Sequence, residues 1–240
     1  MRGFARAPAR RLACFVRRHM RGIVFDLDET LVDRKGSLNV YAQELYSDFR
    51  TSIALSQAEF IVQFHLLDGN GRVPRDQFFD LLASNVFLEM SSRRIGEHFE
   101  ANAWRTPHLF DGIPELLQSL RELRWRIGVI TNGGVQSQSQ KLENSGLTSL
   151  VDYSVISGAF GAKKPDPTIF KHLLVQLGID PNRSWFIGDD PRSDIWGAKQ
   201  VGFRTIWVER YTPWPDDLPR CYDASVTDTV RTFDVVRSAA

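Results

Sequence analysis

From Thr106 and Pro107 onward the chain alternates between two hydrophobic periods, and this alternation limits the possible folds more than any other feature of the sequence. Residues 127–130, 153–156, 185–187 and 205–208 are short apolar runs rich in β-formers, as buried strands require. Between them lie stretches of helical spacing. Ile113, Leu116, Leu117, Leu120 and Leu123 recur along one face, with Asp111 expected as N-cap and Pro114 in the first turn. Residues 135–145, 167–177 and 194–201 read as helices ended by Gly146, Gly178 and Gly202. Strands that alternate with helices build a mostly parallel sheet, covered on both faces and joined by right-handed crossovers.

An earlier apolar run, residues 22–25, is a further strand and ends on Asp26. Between it and the alternating region, from Ser37 to Glu100, only helical periodicity is present, with a turn cluster at Asp68 to Gly71. The expected class is α/β: a Rossmann-like three-layer core with a parallel sheet, formed by residues 21–33 and 107–240, interrupted by an all-helical insertion over residues 34–106. With 240 residues the chain can bury such a core without disulfides or structural metal. Its 42% hydrophobic and 25% charged residues exclude disordered, collagen-like and coiled-coil classes. No apolar run approaches the roughly 18 residues that span a bilayer, so no membrane partner is expected.

The formal net charge of +1 averages two unlike parts. Six of the 30 basic residues are arginines among the first 20 positions, where no acid occurs; the rest of the chain holds 24 basic against 29 acidic side chains. Residues 1–20 read as a basic N-terminal extension, with Met20 as an alternative start and a composition shared with transit peptides. No aromatic interleaving or docking motif accompanies the arginines, so no nucleic-acid partner is expected. Cys14 and Cys221 stand far apart without metal-ligand spacing, which suits a reducing, cytoplasmic setting.

Ligands of α/β sheets bind beyond the carboxyl ends of the strands. The residues there are Asp26 and Asp28, Thr131 and Asn132, and Gly188 and Asp189, with Lys164 able to reach the same rim. Converging carboxylates repel one another unless a cation is bound, and a set of oxygen ligands without His or Cys suits Mg²⁺. Thr131 and Lys164 suit an anion. A site for both suits phosphoryl chemistry, where catalysis is chiefly positioning and charge neutralisation. The two-residue spacing of Asp26 and Asp28 lets both point one way, one to attack phosphorus and the other to move a proton.

Four segments carry a resemblance. Asp26-Leu27-Asp28-Glu29-Thr30, Ile130-Thr131-Asn132-Gly133, Lys163-Lys164-Pro165-Asp166-Pro167, and Gly188-Asp189-Asp190 with Asp194 five residues after Asp189 resemble, in order, the motifs of the haloacid dehalogenase-like hydrolases. The likeness covers about residues 21 to 210, and the insertion over residues 34–106 resembles that family's helical cap. It implies Asp26 as nucleophile and metal ligand, and Asp28 as general acid and then base, its backbone carbonyl on Mg²⁺. It further implies Thr131 and the Asn132 amide on the phosphoryl group, Lys164 as its neutralising charge, Asp189 as a metal ligand, and Asp194 holding a metal water or orienting Lys164. Lys164 is chosen over Lys163 because it directly precedes Pro165.

The implied activity is Mg²⁺-dependent hydrolysis of a small phosphorylated metabolite, a nucleotide or sugar phosphate, through an aspartyl-phosphate. Alternatives are a phosphomutase, a metal-independent 2-haloacid dehalogenase, which needs neither Asp28 nor Asp189, and a non-catalytic binding module on the same fold. Asp190 and Asp166 read as helix caps, and Glu29 as a turn residue. Arg72, Arg75, Arg93 and Arg94 are candidate substrate contacts of low specificity. The tail around Trp207 and Trp214 reads as a packed connection.

Overall fold

Gly22–Phe25 forms strand β1, buried along its whole length as an unbroken apolar run must be when both faces of a sheet are covered. The computed structural model describes residues 20–238; the basic extension expected over residues 1–20 falls, but for Met20, outside them. Helices α1 (Arg34–Asp48), α2 (Gln57–Asp68), α3 (Arg75–Asn85) and α4 (Ser92–Asn102) follow β1 without an intervening strand. The chain then runs through α5 (Ile113–Glu122), β2 (Arg126–Thr131), α6 (Val135–Asn144), β3 (Tyr153–Ile156), the short α7 (Ser157–Phe160) and α8 (Pro167–Leu177). It ends in β4 (Trp185–Gly188), α9 (Gly197–Lys199), β5 (Arg204–Val208), β6 (Ala224–Val226) and α10 (Thr232–Ser238).

The six strands form one sheet in the order β3-β2-β1-β4-β5-β6, every neighbouring pair parallel. The order reverses at β1, which pairs with β2 on one side and β4 on the other; at such a switch point the crossovers leave in opposite directions and open a crevice at the carboxyl ends. Alternate residues of β1 serve opposite faces. Ile23 and Phe25 join Ile113, Leu117 and Val236 in one core, while Val24 joins Ile169, Phe170, Leu173 and Phe186 in the other. The sheet, with one core on each face, gives the three layers expected.

Helices α1 to α4 bury a third cluster, of Tyr41, Phe60, Phe64, Phe78, Phe99 and Trp104 among others, whose rings meet largely edge to face. The start of α2 is fixed by a capping box between Ser56 and Glu59, and its end by Gly69 in the left-handed conformation. Asn70 and Gly71 continue with positive φ of 55° and 77°, so the chain turns sharply and brings Arg72 back toward the sheet.

Local details differ from expectation at three places. The N-cap of α5 is Gly112, at φ 76°, rather than Asp111, which is exposed: the left-handed turn at the glycine starts the helix one residue later. The helix expected over residues 194–201 begins at Pro191 as a π-helical turn, Pro191–Trp196, and only then becomes α9. Such turns widen the backbone and recur at functional sites. β6, a three-residue edge strand, was not apparent in the sequence.

Candidate active site

β1 hands over directly to the site. The Asp26 amide still donates to Ile187 O at 2.9 Å, so the backbone continues the β1–β4 ladder while the carboxylate enters the cleft beyond it. β2 ends on Thr131 beside it, and β4 ends on Gly188, one residue before Asp189. A Cβ on Gly188 would fall onto the Asp194 carboxylate, so glycine here is what lets Asp194 fold back over the strand end. Asp26, Thr131, Asn132, Lys164, Asp189 and Asp194 all line one cavity of about 220 Å³, together with Asp28.

Lys164 is 2% exposed, whereas Lys163 is exposed to solvent. Its ammonium donates to Asp26 Oδ1 at 2.5 Å and to Ile130 O at 2.8 Å, and pairs with Asp194 Oδ1 at 2.7 Å. Two of its three N–H donors are thus hydrogen-bonded, and Asp194 adds an ion pair. Burial alone would lower the Lys164 pKa, but the Asp194 and Asp26 charges outweigh it and raise it. Asn132 fixes the backbone from which Lys164 projects: its Oδ1 accepts from the Lys164 amide at 2.8 Å and its Nδ2 donates to Lys164 O at 3.0 Å.

The acids behave differently from one another. Burial pushes Asp26 up to about 7 against the pull of Lys164, and Asp194 adds to the rise. Burial, then the neighbouring Asp194 and Asp26 charges, raise Asp189 well above the carboxylate range, and burial raises Asp194 too. Asp28 goes the other way: Lys141 and Arg34 outweigh its burial and hold it below its ordinary value. One oxygen each of Asp26, Asp189 and Asp194 lies within 4.8 Å of the others. Three crowded carboxylates that burial drives toward protonation are a set that a hard divalent cation would ionise and hold, and their all-oxygen chemistry fits Mg²⁺. The structure thus draws Asp194 into the acid cluster itself. Asp190 caps the π-helical turn, accepting from the Arg192 and Ser193 amides, and Asp166 caps α8, accepting from the Thr168 amide.

Several residues of the site were not picked out in the sequence. Lys141 and Gln138 on α6 reach Asp28: Lys141 Nζ lies 2.7 Å from each carboxylate oxygen, and Gln138 Nε2 donates to Oδ2 at 3.1 Å. Gln138 also donates to Thr131 Oγ1 in a short bond. Glu29, expected to shape only a turn, does so at φ 60°, yet it also lines the cleft, and burial pushes its carboxyl up to about 7. Arg34, Tyr211 and Thr212 line it too, the Thr212 hydroxyl 3.4 Å from Asp189 Oδ2. Of the four candidate arginines, Arg72 lines the cleft; Arg75 pairs with Asp68 at 2.9 Å, Arg93 faces solvent beside Glu97, and the Arg94 guanidinium lies over Phe49.

The haloacid dehalogenase-like hydrolase family model matches residues 23–208. The chain belongs to that family. Among curated proteins, this hydrolase is 31% identical over 199 residues to a glyceraldehyde 3-phosphate phosphatase of Pyrococcus abyssi, covering 78% of this chain and 80% of the other. It is 32% identical over 142 residues to a phosphoserine phosphatase of Thermus thermophilus, covering 59% and 56%. Its fold matches that of a haloacid dehalogenase-like phosphatase from Thermococcus onnurineus with a TM-score of 0.64 and 21% identity, over 90% of this chain and 98% of that one. With such relatives across most of its length, the hydrolase is an enzyme of the family's phosphatase branch. Among the described residues, no helix is long and apolar enough to cross a membrane.

Proposed function

We propose that this hydrolase is a Mg²⁺-dependent phosphomonoester hydrolase that acts on a small phosphorylated metabolite, a sugar or nucleotide phosphate, through an aspartyl-phosphate on Asp26. The observation that carries the reading is the meeting of Asp26 with Lys164, Thr131 and the Asp189–Asp194 pair in one cleft at the switch point of the sheet. Asp26, Asp189 and the backbone carbonyl of Asp28 would hold the ion, with Asp194 in support. Bound Mg²⁺ would supply a positive charge that keeps the acids ionised and offsets the charge of the phosphoryl group.

An Asp26 oxygen attacks phosphorus, and the bond from phosphorus to the substrate's ester oxygen breaks. Thr131 accepts from Gln138, which leaves its own hydroxyl proton free for a phosphoryl oxygen; the Asn132 amide and the Lys164 ammonium serve the others. Asp28, held as the carboxylate, takes the proton that a phosphomonoester still carries near its second ionisation at about 6 and passes it to the leaving oxygen. Water then attacks phosphorus, Asp28 removes its proton, and phosphate and free Asp26 result. A dehalogenase has no use for Asp28 or Asp189, so their placement favours phosphoryl transfer.

Residues 34–106 act as a cap on a core formed by residues 21–33 and 107–240, and close the cleft against water. From the cap side the turn at Asn70 to Arg72 reaches the cleft wall, where Arg72 offers a cation to a second anionic group on the substrate. A cavity of about 220 Å³ suits a compact substrate. A cytoplasmic setting belongs to the same reading. The test is hydrolysis of p-nitrophenyl phosphate with Mg²⁺ and with chelator, followed by a screen of phosphorylated metabolites at fixed Mg²⁺. Turnover that persists in chelator would refute the metal requirement.

A further inference from the structure

Lys141 is 2% exposed although its side chain is cationic. Its three donors go to Asp28 Oδ1, Asp28 Oδ2 and Gln138 Oε1, each at 2.7 Å, and its ammonium lies 4.0 Å from the centre of the Trp104 ring. A buried Lys–Asp pair adds little to stability over an apolar pair of the same volume, because desolvation offsets the attraction. The arrangement therefore calls for another reason.

Gln138 and Lys141 stand three residues apart on α6, on one helix face. Gln138 bridges two functional groups, donating to Asp28 Oδ2 and to Thr131 Oγ1. The bridge depends on Gly133, at φ 153°, where a Cβ would lie 2.9 Å from the Gln138 side chain. The second half of α6 is tied to the last turn of α4 and the segment after it: Gln140 Nε2 donates to Glu100 O at 3.2 Å, and Asn144 Nδ2 to Trp104 O at 2.6 Å. One helix thus touches the acid two residues beyond β1's handover at Asp26, the hydroxyl that ends β2 and the root of the helical insertion.

We propose that Gln138 and Lys141 are positioning residues for the reaction: a clamp on α6 that fixes the Asp28 carboxylate relative to Thr131, closed from the cap root by Trp104. The inference rests on the reading of Asp28 as the group that moves the proton. Without the Lys141 ammonium, Asp28 keeps one weak bond from Gln138 and has no reason to hold the orientation in which it meets both leaving group and water.

The experiment compares Lys141→Met and Lys141→Arg with the unaltered enzyme on an alkyl phosphate and on 2,4-dinitrophenyl phosphate. The ratio kcat/KM covers the steps through phosphoryl transfer to Asp26, and the dinitrophenolate leaves without a proton. Lys141→Met is expected to lower kcat/KM for the alkyl ester by about 10²-fold, the size of a lost general acid, and to spare the activated ester. Lys141→Arg should recover part of the loss, and adding Lys141→Met to Asp28→Asn should cost nothing further. Equal losses on both esters, or losses that add to those of Asp28→Asn, would overturn the proposal. If the unaltered enzyme hydrolyses neither ester, the proposed function has failed rather than the clamp. The clamp is then decided by a crystal structure of Lys141→Met, in which it requires a displaced Asp28 carboxylate and an unmoved one refutes it.

Discussion

The Lys164 ammonium lies 2.7 Å from Asp194 Oδ1, which makes Asp194 one of the two acids between which the site's buried cation is held. Removing the ammonium leaves three buried carboxylates with no opposing charge of the protein's own. Lys164→Met should therefore lower kcat by about 10²–10³-fold, the usual cost of a lost donor to developing charge. Steady-state kinetics at saturating Mg²⁺ checks this, and a loss confined to KM would speak against it.

The raised acids carry a signature in stability. Asp26 sits at about 7 in the folded protein against an ordinary value near 4, so the folded state holds its proton more tightly than the unfolded chain. The contribution is fully present below about pH 4 and is lost as pH rises toward 7; Asp189 and Asp194 shift in the same direction. A cation that takes the place of those protons reverses the loss. Thermal unfolding in chelator and in Mg²⁺ should show a larger stabilisation by Mg²⁺ at pH 7.5 than at pH 5, and an equal shift at both would contradict the assignment.

Asp68 joins the cleft to the helical insertion. Arg34 Nη2 pairs with it at 2.7 Å and Arg75 Nη1 at 2.9 Å, and both Asp68 and Arg34 are buried. Asp68→Ala strands the Arg34 guanidinium without a partner, a cost of about 3–5 kcal/mol and a Tm lower by roughly 10 °C. Arg34 and Arg75 outweigh burial and hold the Asp68 carboxyl below its ordinary value, so the stability it contributes is present above about pH 4 and lost as pH falls through the depressed value. The difference between the melting curves of the two proteins should be smaller at pH 3 than at pH 7.

How much of this could be read in the sequence depends on whether a residue's role is local. Asp26, Thr131 and Asp189 are legible because each follows a short apolar strand, and Lys164 was separable from Lys163 by its neighbour Pro165. Lys141 and Gln138 were not, because they reach Asp28 from 113 and 110 positions away, and a Gln and a Lys on a polar helix look like a solvated face. Arg34 was hidden in the same way by its partner Asp68, on the next helix. The N-cap of α5 depended on a left-handed glycine that competes with a good capping acid, and β6 on pairing that three residues of Ala-Ser-Val do not advertise.

Arg72 should read the substrate without acting on phosphorus. It is exposed on the turn after α2 and faces the cleft, so Arg72→Ala removes at most one charged hydrogen bond to the far end of the substrate. Such a bond is worth about 1.5 kcal/mol or more, so KM for the preferred metabolite should rise about tenfold with kcat little changed, and KM for p-nitrophenyl phosphate should stay put. A matching rise for the aryl ester would show that Arg72 does not discriminate between substrates.

The central claim is that Asp26 carries the phosphoryl group between substrate and water, and rapid acid quench of the turning-over enzyme tests it most directly. Peptide mass spectrometry of the quenched protein should find one phosphoryl group on the peptide that contains Asp26. It should be absent when Mg²⁺ is chelated and absent in Asp26→Asn. Turnover by Asp26→Asn at the rate of the unaltered enzyme, or a phosphoryl group on any other residue of the unaltered enzyme, would contradict the account.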